Sequence, residues 1–155
     1  MRLERIRFFP SYRTLIKPFK HRCLVGVGGN EGDVKKRFVR LYRFLQDDSR
    51  FGVCATSAVL KNPPFGYLEQ DDFYNTVMMV RTSLHVKTAL RLFLHVEKRF
   101  GRKRSFKNAP RTLDLDIIFF DNLKRKQKHL TLPHPYWEKR LSVIIPLMML
   151  KRCKG

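Results

Sequence analysis

The run Pro110-Arg111-Thr112-Leu113-Asp114-Leu115-Asp116 leads straight into Ile117-Ile118-Phe119-Phe120. The second half is β-branched, aromatic and continuously apolar, the pattern of a strand buried on both faces. Residues two apart in a strand point the same way, so Asp114 and Asp116 share one face beside an apolar core. Carboxylates that close repel each other, and burial makes both harder to ionise. A divalent cation resolves the conflict. Mg²⁺ suits hard oxygen ligands on a rigid strand, taking one or two carboxylates and completing its shell with water and phosphate oxygens. The pair therefore points to nucleotide phosphate chemistry, against the plainer reading of two solvated acids at a strand start.

The flanking pattern indicates one domain of α+β type. Cys23 to Asn30 reads as a strand ending in glycines. A helix follows, with Asp33 in its first turn and Val34, Phe38, Leu41 and Leu45 on one buried face. Val53 to Leu60 and Phe73 to Val80 read as strands, separated by a loop that Pro63 and Pro64 keep out of regular pairing. Ser83 suits the N-cap of a second helix reaching about Phe100, with Gly101 as its stop. Lys124 to Lys128 reads as a charged turn at a hairpin tip, and residues 133–150 close the domain with a short helix and a final apolar segment. The order β-α-β-β-α-β predicts a ferredoxin-like sandwich, with two helices on a mainly antiparallel sheet. Residues 1–22 form a basic, aromatic leader, read as an N-terminal extension to a single domain over 23–155.

Composition narrows the class. A hydrophobic content of 43% with 12% aromatics excludes a disordered chain. No apolar run approaches the ~20 residues of a membrane span. Cys23, Cys54 and Cys153 lie far apart without metal-ligand spacing, so reduced thiols in a cytoplasmic protein are expected, buried except for Cys153 in its basic tail. The 33 Lys and Arg against 13 Asp and Glu give a formal charge of +20, which attracts polyanions. Nucleic acid and a bound triphosphate both meet that description.

Other residues carry further chemistry. At ~100° per residue, Glu97 falls on the apolar face of the second helix. It also sits near the C-terminus, where negative charge is unfavourable. An acid so placed needs a partner, and Arg102, Lys103, Arg104, Lys107 and Arg111 are close in sequence; otherwise it reaches from the stripe's edge to water. Phe73 and Asn75 share a strand face and could hold a flat heterocycle, the ring stacking and the amide reading its edge; ordinary strand packing is the alternative. Gly26-x-Gly28-Gly29-Asn30 lacks the features of a P-loop or dinucleotide motif and reads as a tight strand-to-helix turn with close backbone packing. His134, between Pro133 and Pro135, is held rigidly after a strand, as a turn residue or a donor to phosphate.

Together these motifs resemble the 6-hydroxymethyl-7,8-dihydropterin pyrophosphokinase family over roughly residues 23–150. The resemblance rests on Gly28-Gly29-Asn30, Asn62-Pro63-Pro64-x-Gly66, Phe73-x-Asn75, Glu97-x-x-x-Gly101-Arg102, the segment Pro110 to Asp116, and Leu132-Pro133-His134-Pro135. It implies a ferredoxin-like fold and transfer of pyrophosphate from ATP to the pterin hydroxymethyl group, releasing AMP, in folate biosynthesis. It implies that Asp114 and Asp116 bind two Mg²⁺ ions that clamp the phosphates for in-line transfer. Asn62, Pro63, Pro64, Phe73, Asn75 and Asp116 would form the pterin site. Glu97, Arg102, Arg104, Arg111, Thr131, His134 and Arg140 would hold ATP, with Arg102 and Arg111 also catalytic and Arg104 on a mobile loop.

The family places a stacking aromatic two residues after the arginine of its closing stretch; here Arg140 is followed by Leu141 and Ser142, and Trp137 is the nearby ring that could replace it. Two rivals remain at this point: a small basic RNA-binding protein on a ferredoxin-like sheet, and a degenerate family member that binds pterin or nucleotide without turnover. The expected state is a cytoplasmic monomer without a membrane anchor, and nucleic acid is the less favoured partner.

Overall fold

A computed structural model describes residues 1–103 and 105–151. The chain order is β1 (Arg2–Glu4), β2 (Ser11–Tyr12), β3 (His21–Gly29), α1 (Val34–Asp47), β4 (Phe51–Thr56), β5 (Val59–Asn62), β6 (Phe73–Thr82), α2 (Val86–Arg99), β7 (Asp114–Phe120), β8 (Arg125–Gln127), β9 (Leu130–Leu132), a 3₁₀ turn (Trp137–Lys139) and α3 (Leu141–Met148). The main sheet runs β1-β5-β6-β3-β7, with β4 also on β6 and β2 on β4, and its pairings are antiparallel. This is the expected α+β arrangement.

Side-chain alternation divides the core in two. Cys23, Val25 and Val27 of β3 face α1 and α2, meeting Phe38, Leu41, Leu45, Phe93 and Val96. Leu24 of β3, Val77 of β6 and Ile118 of β7 face the other way, toward Val143 of α3. β7 is thus covered on both sides, as its unbroken apolar run requires. Asp114 and Asp116 belong to the α3 side, at the start of that strand.

Local chemistry sets most element ends. Asp33 caps α1, its carboxylate accepting from Lys36 N at 3.1 Å. Gly101 ends the α2 region at φ +87°, a left-handed turn that costs glycine little. The N-cap of α2 is His85, whose Nδ1 accepts from Lys87 N; Ser83 instead accepts from Lys20 N. The strand expected over Val53 to Leu60 breaks at Ser57–Ala58. There Ser57 Oγ accepts from Val77 N and bonds Thr76 Oγ1, interrupting the ladder along β6. The charged turn expected at Lys124 to Lys128 is a strand instead: Arg125–Gln127 pairs with Leu130–Leu132, and the tip is Lys128–His129.

The leader's β1 and β2 lie along β5 and β4, covering an edge that would otherwise be open to pairing with another chain. Phe9 is completely buried against Phe38 and Tyr42. Glu4 accepts from Lys35 of α1 at 2.6 Å. Cys23 is a buried free thiol. Cys54 is disulfide-bonded, which corrects the expectation of reduced thiols throughout. No helix among the described residues is long and apolar enough to cross a membrane.

The glycine turn packs as tightly as its composition suggests. A Cβ on Gly29 would lie 2.5 Å from the carbonyl oxygen of Thr112, a backbone atom that cannot step aside cheaply. Gly29→Ala is therefore expected to cost about 1–3 kcal/mol, the usual scale of overpacking. Urea denaturation measures it, and an unchanged midpoint would show that β3 and the Thr112 segment separate easily.

Candidate active site

Glu97 is 3% exposed and faces the start of β7. Its Oε2 accepts from Leu115 N at 2.7 Å and lies 2.9 Å from an Arg102 guanidinium nitrogen. The acid misplaced on an apolar stripe has thus found its cation, and it also pins the backbone between the two aspartates. Arg102 donates onward to Asp114 Oδ1 at 2.7 Å, and Arg111 donates to Asp114 Oδ2 at 3.1 Å. Two carboxylates and two guanidiniums alternate as a network with little solvent contact. Such a pairing offsets the desolvation of each member only while all remain present.

Among the described residues Asp116 has no ion-pair partner. Burial raises its pKa first, the charges of Asp114 and Glu97 add to this, and Arg140 and Arg102 oppose it; the result is about 7. At neutral pH this carboxyl is divided between its two forms, a state that a divalent cation resolves toward the anion. His134 is shifted down, chiefly by burial and then by the Arg140 charge, so its imidazole is neutral at pH 7. Its Nδ1 is buried, and among the described residues neither it nor Thr112 Oγ1 has a hydrogen-bond partner.

These groups surround a cavity of about 910 Å³. Its walls include Glu97, Arg102, Arg111, Asp114, Asp116, Thr131, His134 and Arg140, each singled out in the sequence. Lys98, Asn108, Lys128 and His129 also line it. The last two come from the β8–β9 hairpin tip, which sequence patterning misplaced. A smaller recess of about 60 Å³ opens on the α3 side of the sheet, lined by Gly26, Gly28, Asn75, Asp114, Asp116, His134, Arg140 and Ser142. Four residues, Asp114, Asp116, His134 and Arg140, are common to both.

Asn75 donates through Nδ2 to Asn62 Oδ1 at 2.6 Å, so the two amides meet beside the recess. The Arg111 guanidinium lies over the Phe73 ring, 5.3 Å from its centroid. Pro63 and Pro64 continue the chain from Asn62; of the expected pterin-site residues, Asn75 and Asp116 line the cavities described, and Asn62, Pro63, Pro64 and Phe73 do not. Trp137 packs edge-on against Phe119 at 4.8 Å in the α3-side core, so it does not stand in for an aromatic at Ser142. Arg104 lies outside the described residues.

Sequence patterning attached no role of its own to one amide. Asn30 is buried, and its Oδ1 accepts from Arg111 N at 3.0 Å. Its Nδ2 donates to Gln70 Oε1 at 2.8 Å and to Asp71 O at 2.9 Å. Gln70 Nε2 donates in turn to Tyr67 O at 2.6 Å and Asn108 O at 2.9 Å. Tyr67 meets Phe106 edge to face at 5.1 Å. Three loops, around residues 30, 63–72 and 105–111, are fastened together at the rim of the site. The sequence signals of Asn30 were its place directly after the glycines and in the motif Gly28-Gly29-Asn30, neither of which names its partners.

The donor set fits Mg²⁺. Among the described residues no cluster of three or more His, Cys, Asp or Glu could hold a metal. A pair of carboxylates instead leaves most of the shell to phosphate and water, the arrangement Mg²⁺ prefers.

The sequence profile of the family described as 7,8-dihydro-6-hydroxymethylpterin-pyrophosphokinase matches residues 24–152. The chain is 46% identical over 147 residues to the 2-amino-4-hydroxy-6-hydroxymethyldihydropteridine pyrophosphokinase of Campylobacter jejuni, spanning 95% of this chain and 94% of that one. It is 41% identical over 145 residues to the protein of the same name from Helicobacter pylori, spanning 92% and 89%. With that of Bacillus subtilis the identity is 32% over 123 residues, spanning 79% and 74%. A profile that takes in β3, the paired aspartates and the closing helix, and relatives matched nearly end to end, place this chain in the 7,8-dihydro-6-hydroxymethylpterin-pyrophosphokinase family.

Proposed function

We propose that the protein transfers the pyrophosphoryl group of ATP to the hydroxyl of 6-hydroxymethyl-7,8-dihydropterin and releases AMP, a step of folate biosynthesis, acting as a cytoplasmic monomer. The observation that carries this reading is the wall shared by two cavities. The larger is lined by Arg102, Arg111, Arg140, Lys98 and Lys128 and suits a triphosphate; the smaller, bordered by Asn75, offers an amide to a polar heterocycle and must widen from about 60 Å³ to admit one. Asp114, Asp116 and His134 stand where the two meet, which is where a group passing between two substrates must lie.

Each side chain then has a task. The amides of Asn75 and Asn62 read the edge of the pterin, and the ring of Phe73 stacks on it. Pro63 and Pro64 stiffen the loop that carries Asn62. Arg102 and Arg111 exchange Asp114 for phosphate oxygens as ATP enters, keeping planar bidentate contacts with the charge that develops during transfer. Neutral His134 donates to a phosphate oxygen, with Thr131 and Arg140 beside it. Glu97 acts through Arg102 and Leu115 N and not by direct contact, so it is a positioning residue. Two Mg²⁺ ions, held by Asp114 and Asp116 with phosphate oxygens, supply Lewis-acid neutralisation of the polyphosphate when bound.

The deciding assay is incubation with ATP, Mg²⁺ and the pterin, scoring AMP against ADP. Pterin-dependent AMP supports the reading. ADP, or no product from folded protein, overturns it, and pterin binding without turnover would identify a degenerate binder limited by Ser142. Arg111→Lys is expected to lower kcat/KM by roughly 10–100-fold, because a fork becomes a point charge at a transition-state contact. Steady-state AMP release measures this, and unchanged turnover would mark Arg111 as structural.

A further inference from the structure

The proposed reaction leaves unused a strip of arginines and aromatic rings on α1, α2 and the leader. Arg40 and Arg43 of α1 and Arg99 of α2 line a cavity of about 290 Å³ with Phe44 and Phe100. The two rings meet edge to face at 5.9 Å. Arg40 lies over Phe100, 5.7 Å from its centroid, and Arg99 over Phe44 at 5.3 Å. The strip continues into the leader, where Arg43 and Arg7 lie over the Phe8 ring at 5.6 and 5.0 Å. Phe8 itself stacks on Tyr42 at 4.3 Å.

The four arginines are all exposed, and among the described residues none of them makes an ion pair. That contrasts with Arg50, Arg102 and Arg111, each bonded to a carboxylate. Like charges gathered without counter-charge repel, and contacts with rings at exposed sites offset little of that repulsion. An anionic partner relieves that repulsion. None of the four lines either cavity at Asp116.

We propose that this strip is a second binding surface, for single-stranded RNA. A guanidinium is a fork for phosphate oxygens. Its flat face, and the ring beneath it, also accept an unpaired base by stacking. Alternating arginines and rings therefore match a chain of alternating phosphates and bases better than a compact anion, and the net charge of +20 draws such a chain in.

The test uses the whole protein with saturating Mg-ATP and a fluorescein-labelled 15-nucleotide RNA of mixed sequence, read by anisotropy from 50 to 300 mM KCl. Binding is expected to survive ATP, with log affinity falling against log salt at a slope of about −2 to −3, the value for three or four phosphate contacts. The R40E/R43E/R99E variant is expected to bind at least ~10-fold more weakly at the lowest salt and with a shallower slope. Its melting temperature and AMP release should match the parent. Should it fail to fold, R43E alone carries the same test. No RNA binding, full displacement by ATP, or wild-type affinity in the folded variant would each overturn the proposal. So would a strip that binds only phosphatidylserine vesicles.

Discussion

Asp116→Asn should reduce AMP formation by roughly 10³-fold, the scale set by losing a charge that holds the reacting phosphates. The same variant should gain stability at neutral pH, because the native residue is a strained one. Its pKa is about 7 in the folded protein against an ordinary value of 3.8. Between those values the folded state binds the proton and the unfolded state does not. Stability therefore falls as pH rises from about 4 to 7 and levels off above. Asparagine cannot ionise, so the variant lacks that decline. Thermal melts across pH 4–8 and the AMP assay read both halves. A variant with parental turnover would remove Asp116 from the chemistry. A variant melting at or below the parent at pH 8 would show that the carboxylate has a stabilising partner in the free protein.

Glu97→Ala should cost about 3–5 kcal/mol, the range for breaking a buried charged pair. Leu115 N loses its acceptor, and the Arg102 guanidinium keeps Asp114 but loses its other carboxylate. Urea unfolding measures the loss. Glu97→Gln separates structure from electrostatics, since its amide oxygen can still accept from Leu115 N. It should recover most of the stability while removing one of the charges that raise the Asp116 pKa. The acidic limb of the pH–rate profile should then move to lower pH. An alanine variant as stable as the parent would show that Glu97 bonds an already rigid strand. A glutamine variant with an unmoved acidic limb would show that the limb belongs to another group.

Both residues were legible from the chain because their signals are local. Asp114 and Asp116 announce themselves by opening an apolar β run, and Glu97 by breaking a helical stripe. His85 was missed because a histidine nitrogen and the usual Ser83 compete as caps two residues apart. The break at Ser57–Ala58 was not legible because its cause is Val77, twenty residues on. The β8 strand carries no apolar alternation, only Arg125, Lys126 and Gln127, and pairing with β9 makes it a strand. Asn30 shows the limit most clearly. Its partners lie 40, 41 and 81 residues away, and no window of sequence joins them.

That amide makes a single cooperative unit of segments remote in the chain. Gln70 bonds Asn30, Tyr67 O and Asn108 O at once, so the loop carrying Gln70 cannot swing out without releasing the other two. Local opening of the rim then has one free energy and not three. In hydrogen exchange, the amides around residues 67–71 and 106–109 should share one protection factor, and a ligand seated against either loop slows both.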